Sequence, residues 1–393
     1  MQILIIGGTG VLSRTIAIEA IDRGHQVTIL TDGKGTLPEP VGLEQHIKVD
    51  RNNATELKQA LADTGVESWD LVVDAICYRP AQAESLLSAI DGKSQHSIVI
   101  STAILYDPSI NRPLQTDDRL ATDLELGKYG REKVAMEQIW LQAWERNSRP
   151  VTILRPPHIL GAGAELGIIP LHNRDRDLIN RLKNHQPLLL SNGGKQMMQV
   201  VNSKDITQVI LAAAGNHKTF GKIYNCANPA VITGRQYFET IAELLNVELK
   251  VKEISTEAVV SANWGWAITT ISRILDMTSL QQDIGYTPST HLKEALRETL
   301  DYLLVTSQDY QSPDSSLLEI EAALDTDKNN LHEVLSIAAQ TRDRLPIDIR
   351  MNTDPPAIDF YRTGVIHELP LPISNPSRST QSPAYTKPQP SNH

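Results

Sequence analysis

Short apolar runs alternate with helical patterns through the first 155 residues. Residues 2–6, Gln-Ile-Leu-Ile-Ile, carry no polar alternation, as expected of a strand buried on both faces. Residues 11–23 then place apolar side chains on one helical face, and Gly24 ends the helix. Further runs at 26–30, 46–49, 71–75, 97–101 and 151–154 read as strands. Helical stretches fall between them at 54–62 and 126–144, the second long and amphipathic. Strand, helix, strand in repetition predicts a parallel sheet with helices on both faces.

The pattern loosens after residue 160. Residues 172–183, 205–214, 234–245 and 292–304 read as helices, with Thr233 marking the start of the third. Residues 223–226 and 248–254 read as strands. This is material for a smaller α/β domain over the carboxyl edge of the sheet. The predicted division is a first domain over 1–160, with the chain returning to it near 196–226, and a second over 161–305. A helical extension covers 306–345, with a break near 325–330. From residue 346 to 393 prolines gather among Ser, Thr and Gln, a composition that buries too little apolar surface to offset chain entropy. That tail is expected to be disordered. No internal repeat is present.

Charge and composition remove several function classes. Net charge is −10, so an acidic surface repels phosphate backbones and nonspecific nucleic-acid binding is not expected. The two cysteines, Cys77 and Cys226, supply neither a disulfide framework nor a zinc spacing, so no metal site is expected. No apolar run approaches the roughly 20 residues of a membrane span. The N-terminus enters the first strand without a basic region or cleavage site. The expectation is a cytoplasmic, soluble protein.

Candidate chemistry begins at Gly7-Gly8-Thr9-Gly10-Val11-Leu12-Ser13, between the first strand and the first helix. Gly7 lets the chain turn, and Gly10 lets the backbone approach a pyrophosphate. The helix N-terminus then offers free N–H groups and partial positive charge. Ser13 takes the third small position. Asp32 follows the second strand about 20 residues after the turn, where a carboxylate can accept from an adenosine ribose and repel a 2′-phosphate. That favours NAD. Lys34 is near enough to meet a phosphate, which keeps NADP open, and Asp32 reads equally as the turn residue of Thr31-Asp32-Gly33. Asp50 ends the third strand; it could bond an adenine amino group or serve as a helix-start carboxylate.

Tyr129 and Lys133 stand four apart on a helix and share one face. A Tyr hydroxyl ionises near 10, too high for a base at neutral pH. An ammonium about 5 Å away, at an effective dielectric of about 20, favours the phenolate by roughly 3 kcal/mol. That is about two pKa units. Tyr129 then becomes a general acid/base, and Lys133 can also hold a nicotinamide ribose. Thr102 follows Ser101 at the end of the preceding strand, on the carboxyl edge where open α/β folds bind ligands. Its hydroxyl can orient a substrate oxygen, or it can cap a turn. The joint occurrence of the three favours the catalytic reading.

With these residues the chain resembles the short-chain dehydrogenase/reductase superfamily, extended or atypical branch, in the NAD-dependent epimerase/dehydratase grouping. The matching pieces are residues 7–13, Asp50-Arg51, residues 74–78, 101–106 and 129–133, the run Arg155-Pro156-Pro157-His158-Ile159-Leu160-Gly161, and residues 200–205. They cover about residues 1–305 in the family's order. The resemblance implies a Rossmann-type doubly wound parallel sheet with a smaller α/β substrate domain. It implies NAD or NADP as cofactor, a small-molecule substrate, hydride transfer at a C–O centre, and a homodimer. It adds Thr9, Val11, Leu12, Arg51 and Ala75 as cofactor contacts, and Pro157, His158 and Ile159 as cofactor or substrate contacts. His158 reads equally as a turn residue. In the family the catalytic hydroxyl stands four residues before a Tyr, as Thr102 does before Tyr106.

Departures from the pattern also carry information. Ala103-Ile104 stand where the family's dehydratases carry an Asp-Glu pair, so elimination of water lacks its acid/base catalysts. Asp205 reads as a structural cap. Trp264 and Trp266 read as core, or as the lining of a substrate pocket. A related branch includes plastid stem-loop RNA-binding proteins with the same glycine turn, which leaves a non-catalytic dinucleotide-sensing or RNA-binding scaffold as the alternative to an enzyme.

Overall fold

The computed structural model describes residues 1–343 apart from residues 36, 169, 173, 174, 176, 263–269, 307–314 and 327–329. Trp264, Trp266 and the 346–393 tail lie outside the described residues. The first part of the chain runs β1 (Gln2–Ile6), α1 (Val11–Asp22), β2 (Gln26–Thr31), β3 (Gln45–Lys48), α2 (Ala54–Ala62), β4 (Leu71–Asp74), α3 (Pro80–Ala89), β5 (Ser97–Ile100), α4 (Asp123–Asn147) and β6 (Val151–Arg155). It continues with β7 (His158–Leu160), α5 (Leu178–Lys183), β8 (Leu188–Ser191), β9 (Met197–Met198), β10 (Val200–Asn202), α6 (Ser203–Ala213) and β11 (Lys222–Asn225). The remaining elements are β12 (Ile232–Thr233), α7 (Gly234–Leu244), β13 (Val251–Ile254), α8 (Thr256–Ser261), α9 (Thr278–Ile284), α10 (Leu292–Thr306), α11 (Ser315–Thr326) and α12 (Leu331–Asp343).

Seven strands form one parallel sheet in the order β11-β6-β5-β4-β1-β2-β3. Period-two alternation along the strands divides their apolar side chains between two faces. Ile3, Ile5, Ile29, Val73 and Ile98 pack under α1 and α6 through Ile16, Ala20, Ile206 and Ile210. Leu4, Ile6, Val72, Val99 and Ile153 pack under α2, α3 and α4 through Leu57, Leu86, Met136 and Trp140. The fold is a Rossmann-type doubly wound sheet. From β1 the chain builds outward through β2 and β3; from β4 it builds the other way. The crevice between the carboxyl ends of β1 and β4 is therefore the switch point, where ligands bind in open α/β sheets.

The smaller unit is built from short parallel pairs, β7 with β10 and β8 with β13, covered by α7 and α10. The helical pair α11 and α12 seals a separate apolar cluster: Leu317, Ile320 and Leu335 meet Leu171, Leu189, Ile254 and Val259.

Four local readings change. The helix expected over 126–144 begins at Asp123 and is interrupted at Gly127, whose φ of 58° is left-handed. The expected helix over 172–183 is helical among the described residues only from Leu178. The strand expected over 248–254 starts at Val251. Asp205 is no cap: Asn202 caps α6 by accepting from the Lys204 N–H, while buried Asp205 accepts from the Tyr286 hydroxyl and from the Ser289 and Thr290 N–H groups. It ties down the loop after α9.

Candidate active site

The glycine turn leaves β1 through two residues of positive φ, Gly7 at 112° and Gly8 at 131°. A Cβ on Gly7 would stand 2.9 Å from Ser13 Cβ, and one on Gly8 would stand 2.7 Å from Ile29. Gly7 thus lets α1 sit down on β1, with small Ser13 completing the contact. Gly10 is the N-cap of α1; a Cβ there would meet only Ser13 Oγ, at 3.6 Å. Its outer side is open. No acidic residue stands in the first turn of α1, so the positive end of the helix dipole has no carboxylate of its own.

That end opens into a cleft lined by Gly7, Thr9, Gly10 and Ser13 together with Asp32, Lys34, Asp50 and Arg51. Asp32 is half-buried and accepts from the Lys34 N–H at 2.9 Å. Asp50 is exposed and accepts from both the backbone and the side chain of Asn52; the cap of α2 is Asn53 instead. Arg51 is buried, and its guanidinium is committed: two nitrogens meet both oxygens of Asp74 at 2.7 and 2.8 Å, and one also donates to the Ile76 carbonyl. Arg51 thus braces the cleft floor. Val11 and Leu12 enter α1 behind the turn, and Ala75 continues β4 with its N–H on the Ile6 carbonyl. The glycine turn, the uncompensated helix end and the carboxylates in the same cleft suit a dinucleotide laid from pyrophosphate to adenosine.

Tyr78 also lines the cleft. Next to it stand Tyr129 and Lys133. Gly127 breaks α4 so that the helical run carrying both side chains starts directly before Tyr129. Lys133 is buried, and its Nζ donates to the carbonyls of Cys77 and Ile100 at 2.8 and 2.9 Å. It thereby spans the ends of β4 and β5. The same Nζ lies 4.7 Å from the centre of the Tyr78 ring and 5.9 Å from that of Tyr129. Burial pushes the Lys133 ammonium down to about 8, opposed by the fields of Cys77, Asp74 and Glu137.

Thr102 follows two residues after Ile100. It caps a single 3-10 turn, Ala103–Leu105, by accepting from the Ile104 N–H at 3.3 Å. Three contacts hold that turn. The Ala103 N–H donates to the Pro156 carbonyl, the Tyr106 hydroxyl donates to Asn225 Oδ1, and Arg273 donates to the carbonyls of Ala103 and Tyr106. Below it Arg155 makes a buried two-point ion pair with Glu137, fixing α4 to β6. Past Pro157, His158 Nε2 lies 3.0 Å from the Glu165 carbonyl. Among the described residues no group of three or more His, Cys, Asp or Glu side chains could hold a metal ion. No described helix is long and apolar enough to cross a membrane.

Gly7, Thr9, Gly10, Asp32, Asp50 and Arg51 therefore share one cleft. Lys133 lies beside Tyr129 and bonds to the Ile100 carbonyl two residues before Thr102, while Thr102, Val11, Leu12, Ala75, Pro157 and His158 do not line the cleft. Sequence reasoning missed Tyr78 and Arg273. Tyr78 ends a segment already matched to the family, yet no motif requires an aromatic there. Arg273 reaches the Thr102 turn from the second unit, a contact with no local signature.

Residues 3–227 match the sequence profile of the NAD dependent epimerase/dehydratase family. Over 244 residues the chain is 28% identical to the chloroplast stem-loop binding protein of 41 kDa b from Arabidopsis thaliana, a match spanning 59% of this chain and 60% of that protein. Among solved structures, it resembles UDP-glucose 4-epimerase from Thermotoga maritima with UDP-glucose, at 16% identity and a TM-score of 0.63. That match covers 78% of this chain and 99% of the epimerase. It also resembles UDP-glucuronic acid 4-epimerase from Bacillus cereus in complex with UDP-glucuronic acid and NAD, at 17% identity and a TM-score of 0.62. There the coverage is 78% and 100%.

Proposed function

The chain belongs to the NAD-dependent epimerase/dehydratase family, and on that premise we propose that it is an NAD(P)-dependent epimerase or dehydrogenase acting at a C–O centre of a sugar nucleotide. The observation that carries the reading is Lys133 held between the ends of β4 and β5 with Tyr129 beside it. A dinucleotide bound in the cleft supplies the hydride acceptor or donor. The protein supplies the rest. Thr102 orients the substrate oxygen, Tyr129 takes or returns its proton, and Lys133 favours the Tyr129 phenolate. The carboxylate of Asp32 at the ribose end favours NAD over NADP. Ala103-Ile104 give no acid/base pair after the hydroxyl, so loss of water is not part of the reaction. UDP-sugars are the substrates to try, because two structurally similar proteins are epimerases bound to UDP-sugars.

The test is conversion of a UDP-sugar panel with added NAD, followed by chromatography and mass spectrometry. Epimers of unchanged mass, or products two hydrogens lighter, support the proposal when Tyr129→Phe abolishes them. No conversion across the panel overturns the sugar-nucleotide assignment.

A second reading rests on the similarity to a stem-loop binding protein. It makes the chain a stem-loop binder on the same fold. The net charge of −10 opposes it. Retention of a labelled stem-loop at about 0.15 M salt, unaffected by Tyr129→Phe, would favour this reading over the enzyme.

A further inference from the structure

We propose that Tyr78 is a positioning residue of the proton-transfer pair, its ring face holding the Lys133 ammonium from the side of the cofactor cleft. The inference rests on the reading of Tyr129 and Lys133 as the acid/base pair. Three geometric facts carry it. Tyr78 is buried, at 6% exposure, and lines the same cleft as Gly7. Its ring centre is 4.7 Å from Lys133 Nζ, closer than that of Tyr129 at 5.9 Å. The two tyrosine rings lie 6.4 Å apart and tilted by 44°, so one ammonium is shared between two aromatic faces.

The arrangement answers a problem of charge. Lys133 is 2% exposed and has two protein acceptors, both neutral carbonyls. Among the described residues no carboxylate is salt-bridged to it. The charged and titratable groups facing it are Asp74 and Cys77 from the end of β4, Glu137 from its own helix and Arg51 from the segment after β3. The carboxylates of Asp74 and Glu137 are already paired, with Arg51 and Arg155. What remains for a third N–H is a π face, and a cation over a desolvated ring is held by the quadrupole without a counter-ion. A carboxylate in Tyr78's place would hold the ammonium more tightly and cancel its field at Tyr129. An aromatic ring keeps the charge and leaves the field.

The proposal separates the ring from the hydroxyl and from bulk. Lys133 can be titrated by NMR of ¹³Cε-lysine in the full chain, its signal assigned by Lys133→Met. Tyr78→Phe keeps the ring and should titrate with the wild type, near 8. Tyr78→Met keeps an apolar side chain of similar reach but removes the quadrupole, and should lower the titration by about half a unit to one unit. A Met variant that titrates with or above the wild type would overturn the proposal, because the ring would then be only a wall against water. A Phe variant that shifts as far as Met would overturn it too, because the hydroxyl would be the active part. Failure of the acid/base reading would appear elsewhere: Tyr129→Phe would leave turnover intact while the Lys133 titrations still obeyed the ring.

Discussion

Lys133 sits where burial and charge oppose each other, and the balance sets two outcomes at the scale of one residue. Its ammonium is pushed from 10.5 in the unfolded chain to about 8 in the fold. Between those values the unfolded state binds more protons than the native state, so this group makes stability rise with pH from about 8 to about 10.5. Below about 8 the charged form carries its full burial penalty. Lys133→Met should therefore be more stable than the wild type near neutral pH and should lose the rise, as urea denaturation at about pH 7 and about pH 9 would show. The same substitution removes the field on Tyr129, so turnover should fall. Tyr129→Phe removes the proposed proton carrier, and kcat should drop by about 10²–10⁴-fold with cofactor affinity little changed. Equal loss of NAD affinity and turnover in that variant would point to a structural role instead.

At the scale of elements, the strands were legible because sheet burial on both faces writes itself as unbroken Ile, Leu and Val. The glycine turn was legible because Gly7 and Gly8 need positive φ and leave no room for a Cβ. Gly8→Ala should destabilise the fold strongly, since its Cβ would stand 2.7 Å from Ile29 at a φ of 131°. A loss of several degrees in Tm checks this. Less legible was the break at Gly127, because apolar periodicity continues through it and only the backbone dihedral marks the new start. The helix α3 carried little signal: it begins with Pro80 and buries Gln82 and Ala83 beside Leu86, a face too mixed to stand out. Arg51 followed the expected strand, but its partner Asp74 belongs to another strand, and no local pattern could turn a candidate cofactor contact into a buried ion pair. The contacts made by Tyr78 and Arg273 were hidden for the same reason. They exist only after β4, β5 and the second unit have met.

At the scale of the whole molecule, the profile match ends at residue 227 while the apolar packing continues through α12. The pair α11 and α12 covers Leu171, Ile254 and Val259 and is tied by Arg181 to Glu321 and by Lys252 to Asp325. Burying Leu317, Ile320 and Leu335 contributes about 1.5–3 kcal/mol each. A chain ending at residue 306 should melt several degrees lower and bind a hydrophobic dye, yet keep the NAD affinity of the full chain. The cleft is built from the sheet's switch point and shares none of that cluster. A parallel loss of NAD binding would place the helical pair in the cofactor site.

In the proposed reaction Tyr129 and Lys133 move a proton while hydride passes between substrate and nicotinamide. It is tested most directly by mixing the NAD-loaded protein with UDP-sugars in a stopped-flow instrument and following reduced-nicotinamide absorbance. Absorbance should rise with the wild type and not with Tyr129→Phe, although that variant should bind NAD equally well. An equal rise in both proteins, or no rise with any UDP-sugar that binds, would contradict it.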